Sequence, residues 1–120
     1  MSWDVENTDE FGAWFSDLSE ADQDAIDFTV DLLIEQGPKL RFPHSSGINN
    51  SRHSHMRELR IQSEGRPLRV FYAFDPRRSA ILLIGGDKTG DGRFYERLIP
   101  VADGLYDVHL KELKQEGLLK

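Results

Sequence analysis

Apolar and polar positions divide this chain into a helical front, a strand-rich middle and a helical end. Trp3 to Asn7 alternate in character, which predicts a short strand. Thr8 or Asp9 then caps a helix with Phe11, Trp14, Phe15 and Leu18 at helical spacing. Ser19, with Asp22 three residues later, predicts the capped start of a second helix. Its apolar stripe is Ala25, Ile26, Thr29, Val30, Leu33 and Ile34, its wet face carries Asp24, Asp27, Asp31 and Glu35, and Gly37-Pro38 end it. No period is visible from Lys39 to His55, where Ser, Asn, Gly and Arg dominate.

Three strand-like runs follow: Met56 to Gln62, Leu68 to Phe74 and Ala80 to Ile84. Turns are expected at Ser63 to Pro67 and at Asp75 to Ser79. The unbroken apolar run Ile81 to Ile84 reads as a central strand covered on both sides. A glycine-rich loop is expected from Gly85 to Gly92, then a last helix with Pro100 in its first turn, running to about Gln115. The order strand, two helices, three antiparallel strands, helix implies one α+β domain over residues 1–120. Its helices are expected on one face of a small sheet, the other face being free for function.

The 120 residues contain no cysteine, so disulfides and thiolate chemistry are excluded. No run approaches the ~20 apolar residues of a membrane span. Acidic residues soon after Met1 are unlike a secretory signal, and a cytoplasmic location without membrane attachment is expected. The formal net charge of −6 argues at first against nucleic acid, but it is unevenly spread. Residues 1–36 hold eleven acids and no Lys or Arg, whereas residues 37–98 hold twelve bases, ten of them Arg, against six acids. Arginine suits phosphate recognition.

Strand alternation puts Leu68, Val70, Tyr72 and Phe74 on one side and Arg69 with Phe71 on the other, where Glu58, Arg60 and Gln62 also point. A charged Arg69 in so apolar a strand needs either an ion pair with Glu58 or an open face on which to bind phosphate. The loop Gly85-Gly-Asp-Lys-Thr-Gly-Asp-Gly92 fails as a calcium loop, because Leu98 stands at its twelfth position. It also lacks the nucleotide P-loop spacing, and its Asp-Lys-Thr-Gly lacks room for the domains of an ion-pumping ATPase. What remains is a loop presenting Lys88. His53 and His55, with His44 nearby, are poorly set for a metal without Cys or close carboxylates. A histidine titrating near neutrality can instead serve as acid or base. His109 reads as a packed or surface residue of the last helix.

The runs Met56-Arg-Glu-Leu-Arg-Ile, Arg66-Pro-Leu-Arg-Val-Phe-Tyr-Ala-Phe-Asp-Pro-Arg-Arg and Ile81-Leu-Leu-Ile-Gly-Gly-Asp-Lys-Thr-Gly-Asp resemble the RelE/ParE toxin superfamily. The HigB-like, phage-derived branch is the most similar, and the likeness continues through Phe94-Tyr-Glu-Arg-Leu. This resemblance implies a RelE-like fold: an N-terminal strand and helical hairpin on a mainly antiparallel twisted sheet, with a C-terminal helix. It implies a toxin paired with a cognate antitoxin, of helix-turn-helix, HigA-like type, acting on mRNA in the ribosome. Such members need no cofactor or metal; the ribose 2′-oxygen attacks the adjacent phosphate and displaces the 5′-oxygen. Matched residue by residue, Arg69 and Lys88 fall on charge-stabilising positions, and Tyr95 on the tyrosine near the start of the last helix. Arg60 matches a basic first-strand position. His55 has no strict counterpart in RelE, but a histidine at the edge of the site is typical of the HigB branch, and His55 or Tyr95 would move the proton. Arg57 and Arg93 would be further RNA contacts. Glu58 stands where RelE has a lysine, and Asp91 stands near a RelE loop arginine. The superfamily also implies two other outcomes: a ParE-like toxin that inhibits DNA gyrase without catalysis, or an inactive homologue that binds antitoxin.

Overall fold

A computed structural model describes residues 2–118. In chain order the elements are β1 (Val5–Asn7), α1 (Asp9–Ser16), α2 (Glu20–Gln36), a 3-10 turn (Gly37–Lys39), β2 (Ser45–Gly47), β3 (Arg57–Ser63), β4 (Arg66–Phe74), β5 (Ala80–Asp87) and α3 (Phe94–Gln115). The fold is α+β. Thr8 caps α1, its side chain accepting from the Phe11 amide at 2.9 Å, and Ser19 caps α2 by accepting from the Asp22 amide at 3.2 Å. Gly37, at φ 56°, ends α2; a Cβ there would sit 2.4 Å from the Trp3 ring.

The five strands lie in the order β1-β5-β4-β3-β2; β1 runs parallel to β5, and the other neighbours are antiparallel. The first strand is shorter than its alternation suggested, because the Trp3 amide turns away to the Ile34 carbonyl at the end of α2 (2.8 Å). β2 lies inside the stretch that showed no period. It pairs only Ser45, Ser46 and Gly47 with Leu59, Glu58 and Arg57, too short a run to leave a pattern.

The expectation of one open sheet face is overturned. Leu59, Ile61, Leu68, Val70, Tyr72, Ala80 and Leu82 pack against Phe11, Ile26 and Leu33 of α1 and α2. Met56, Phe71, Ala73, Ile81 and Leu83 pack against Phe94, Ile99, Ala102 and Tyr106 of α3. The sheet is therefore sandwiched, for Phe71 and the run Ile81 to Leu83 bring apolar area to both faces. A bulge adjusts that run: Tyr72 faces Leu82 and Phe71 faces Ile84, leaving Leu83 the extra residue.

Two further boundaries differ. Gly85 and Gly86 belong to β5, paired with Val70 and Arg69, so the loop begins at Lys88. Their missing side chains admit the Trp14 ring on one face and Phe94 with Leu98 on the other. The last helix starts at Phe94, which puts Pro100 inside it. Pro100 is exposed, so the backbone acceptor it leaves unpaired at its preceding turn lies on the wet side of α3.

Candidate functional site

The α3 face of the sheet is apolar over β5 and most of β4 but ionic where Arg69 of β4 meets Glu58 of β3. Glu58 is the hub. Its side chain is only 5% exposed, yet it accepts from Tyr95 Oη (2.7 Å), Ser46 Oγ (2.8 Å) and Arg60 Nη1 (3.2 Å). Arg69 Nε lies 3.7 Å from Glu58 Oε1 and has no hydrogen-bond partner, while its Nη1 donates to the Leu68 carbonyl at 3.0 Å. The ion pair with Glu58 is thus the arrangement observed for Arg69, and its side chain, 6% exposed, lies on no open face. Withdrawing two charges from water in this way is costly for each, and they need mutual pairing to persist.

Tyr95 comes from the first turn of α3 and Lys88 from the end of β5. Lys88 Nζ stands 5.1 Å from the centre of the Tyr95 ring, a cation–π contact. Burial, reinforced by the hydrogen bond to Glu58, pushes the Tyr95 hydroxyl above its ordinary value despite Arg69 nearby. The phenol is therefore held neutral, as a donor. A cleft of about 270 Å³ opens onto Glu58 and Tyr95, walled by Gly47, Asn49, Asn50 and Ile99.

The other expected residues divide. Arg60 reaches Glu58 but also covers the Phe42 ring, its guanidinium 5.2 Å from the ring centre. Arg57 donates from Nε to Ser45 Oγ at 3.1 Å. Arg93 is 85% exposed, 3.9 Å from Glu96. His55 lies apart from Tyr95: it lines an adjoining cleft with Arg57 and Gly47, and its Nε2 is 3.1 Å from Tyr106 Oη. His53 is held by Asp107 at 2.8 Å. The two rings are 6.1 Å apart and both stand edge-on to Tyr106. His109, unremarkable by sequence, meets the buried Asp75 at 2.9 Å and ties α3 to the β4–β5 turn.

Glu58 is the residue whose importance the sequence undersold. Its signal was present: alternation places it on the face of Arg60 and Arg69, and a buried carboxylate beside two guanidiniums marks a functional-site candidate. Asn49 and Asn50 carried no signal, since only the fold brings the segment after β2 to the mouth of the cleft. Among the described residues no helix is long and apolar enough to cross a membrane.

Comparison with known proteins agrees with this architecture. Residues 13–107 match the family described as Phage derived protein Gp49-like (DUF891). Over 91 residues the chain is 42% identical to HigB3 of Mycobacterium tuberculosis, a protein designated a toxin, covering 75% of this chain and 78% of the relative. It is 33% identical over 116 residues to HigB2 of the same organism, also designated a toxin; that match takes in 95% of this chain but only 57% of HigB2. Among solved structures, a mutant of the Escherichia coli toxin RelE in the free state, with two arginines changed to alanine, superposes with a TM-score of 0.60 at 9% identity, over 82% of this chain and 96% of that one. The archaeal RelE–RelB complex of Pyrococcus horikoshii contains a chain that gives 0.56 at 15% identity, over 75% and 99%. These two likenesses bear on the fold, which is RelE-like. By the family match and the HigB identities, the chain belongs to the phage-derived Gp49-like family, whose relatives here are HigB toxins.

Proposed function

We propose that this protein is the toxin of a type II toxin–antitoxin pair and cleaves mRNA on the ribosome, residues 1–120 acting as one toxin domain. The observation that carries the proposal is Glu58 and Tyr95 joined at one cleft, with Arg69 behind Glu58 and Lys88 over the Tyr95 ring. The RNA supplies its own nucleophile, so the protein must remove one proton, donate another and stabilise the phosphorane charge. Glu58 takes the proton of the ribose 2′-hydroxyl. The 2′-oxygen then forms its bond to phosphorus as the bond to the 5′-oxygen breaks, leaving a 2′,3′-cyclic phosphate and a 5′-hydroxyl. Tyr95, held neutral, hydrogen-bonds or protonates the departing 5′-oxygen. Lys88 and Arg69 face the developing charge once substrate displaces part of the Glu58 pairing. His55, Arg57 and Arg60 border the adjoining surface and guide the flanking RNA, with Arg93 further out. The acidic helices α1 and α2 lie behind the sheet, which supports approach to RNA despite the overall charge. The cognate antitoxin, a HigA-like helix-turn-helix protein, restrains the toxin in the cytoplasm.

The test is expression in growing cells with mapping of mRNA 5′ ends, with and without translation. In-frame cuts that vanish when translation is blocked are expected; arrest without cuts would reject cleavage. A second reading has its own observation: Glu58 occupies Arg60, Arg69 and Tyr95 together, as in a closed site that serves only antitoxin binding. Under that reading no growth arrest occurs on expression, with or without antitoxin.

A further inference from the structure

The fold leaves a second, unrelated surface unexplained. Between α2 and β3 runs an apolar groove of about 360 Å³, walled by Ala25, Phe28, Thr29, Pro43 and Ile61. Phe28 is 62% exposed at its edge, and Phe42, 71% exposed, covers Arg60 of the opposite wall. Large exposed aromatics close together on one small protein are uncommon unless they meet something.

The electrostatics of this surface are divided between acids on α2 and, on the opposite wall, Arg60 and His44. Asp24, Asp27, Asp31 and Glu35 are all exposed along α2, three or four residues apart, so that Asp24 and Asp31 flank Phe28. Among the described residues none of the four has an ion-pair partner, whereas Arg60 on the opposite wall is already bound by Glu58. The Asp27 carboxyl is raised above its ordinary value, first by burial and then by repulsion from Asp31 and Asp24. Within the monomer this arrangement only costs stability. A second copy is disfavoured as occupant, because it would bring the same acids, and RNA is disfavoured for the same reason.

We propose that this groove docks a basic amphipathic segment of a partner protein, which seats an apolar side chain beside Phe28 and lays its Lys or Arg residues on Asp24, Asp27 and Asp31. Arg60 lines this groove and also pairs with Glu58, whereas Phe28 and the acids lie on α2, so the substitutions that test the interaction are made on α2 and leave the Glu58 cluster intact.

The probe is a labelled Leu–Lys amphipathic peptide of roughly four helical turns, titrated into the whole protein by fluorescence anisotropy. Binding is expected, weakening as salt rises from about 50 to about 300 mM. Phe28→Ser should weaken it by about tenfold or more, with an unchanged melting curve because Phe28 is exposed. Asp27→Asn with Asp31→Asn should weaken it and flatten the salt dependence. Glu112→Gln with Glu116→Gln, on exposed positions at the end of α3, should leave it unchanged. The proposal is overturned if the peptide does not bind, if Phe28→Ser matches wild type, or if the α3 pair loses as much as the α2 pair. It is equally overturned if a Leu–Glu peptide binds as well, if single-stranded RNA displaces the peptide through Phe28, or if Phe28→Ser converts a dimer to monomer in sedimentation.

Discussion

The two faces of the sheet are built from the same strands but by different rules. Towards α1 and α2, the strands offer Leu59, Ile61, Leu68, Val70 and Leu82, and the charge buried on this side, Asp22 with Ser63 and Arg66, is confined to the β3–β4 turn where α2 begins. Towards α3, Phe71, Ala73, Ile81 and Leu83 make an equally dry patch, but Glu58 and Arg69 lie beside it at no more than 6% exposure. The first face is what a stable domain requires. The second withdraws charge from water, and holds it there with Tyr95, Ser46 and Arg60 rather than with shape alone. A fold can tolerate this only where most of its core is conventional. The difference separates the part of the molecule that secures it from the part proposed to do chemistry.

The sharpest way to break this comparison is Glu58→Gln. It keeps the shape, turns one accepting oxygen into a donor and removes the proton acceptor, so RNA cleavage on purified ribosomes should fall by ~10²–10⁴-fold while the protein stays folded. Retained cleavage would move Glu58 back into a structural role. Next comes Arg69→Met, which leaves Glu58 with Arg60 as its one ionic partner and should cost ~1–3 kcal/mol in urea unfolding. Adding Glu58→Gln should return most of that loss. Leu59→Ala, on the other face, should cost ~2–5 kcal/mol through its cavity, with no such rescue by Glu58→Gln. Equal behaviour of the two faces in this pair of experiments would erase the distinction drawn between them.

A smaller effect concerns how α3 is held to its face. Burial pushes the Asp75 carboxyl up, but hydrogen bonds from Arg77 and His109 prevail and hold it below its ordinary 3.8. A depressed folded pKa means a stabilisation fully present above the unfolded value and lost as pH falls through the folded one. Wild-type stability should therefore decline below about pH 4, and Asp75→Asn should make that part of the acid limb shallower in melts across pH. The least effect is expected from Arg93→Ala. With 85% of that side chain in water, stability should change by less than ~0.5 kcal/mol. Any loss of cleavage should then be greater at low salt than at high salt, as for a peripheral RNA contact.

The sequence by itself determined the α+β order, the capped helices, the hairpin core and the side of each strand on which Arg69, Glu58 and Tyr72 lie. These follow from local periodicity and from capping chemistry, which act within a few residues. It also carried the resemblance on which the family rests. Tertiary structure decided the rest. It laid α3 over the face expected to be open, because Phe71 and Ile81 to Leu83 demand cover on both sides. It drew Gly85 and Gly86 into β5, since Trp14 and Phe94 need the space their side chains would fill. It set Tyr95 on Glu58 and turned His55 towards Tyr106, pairs separated by 37 and 51 positions along the chain. Such choices depend on which distant surfaces meet and exclude water, and no local pattern encodes that.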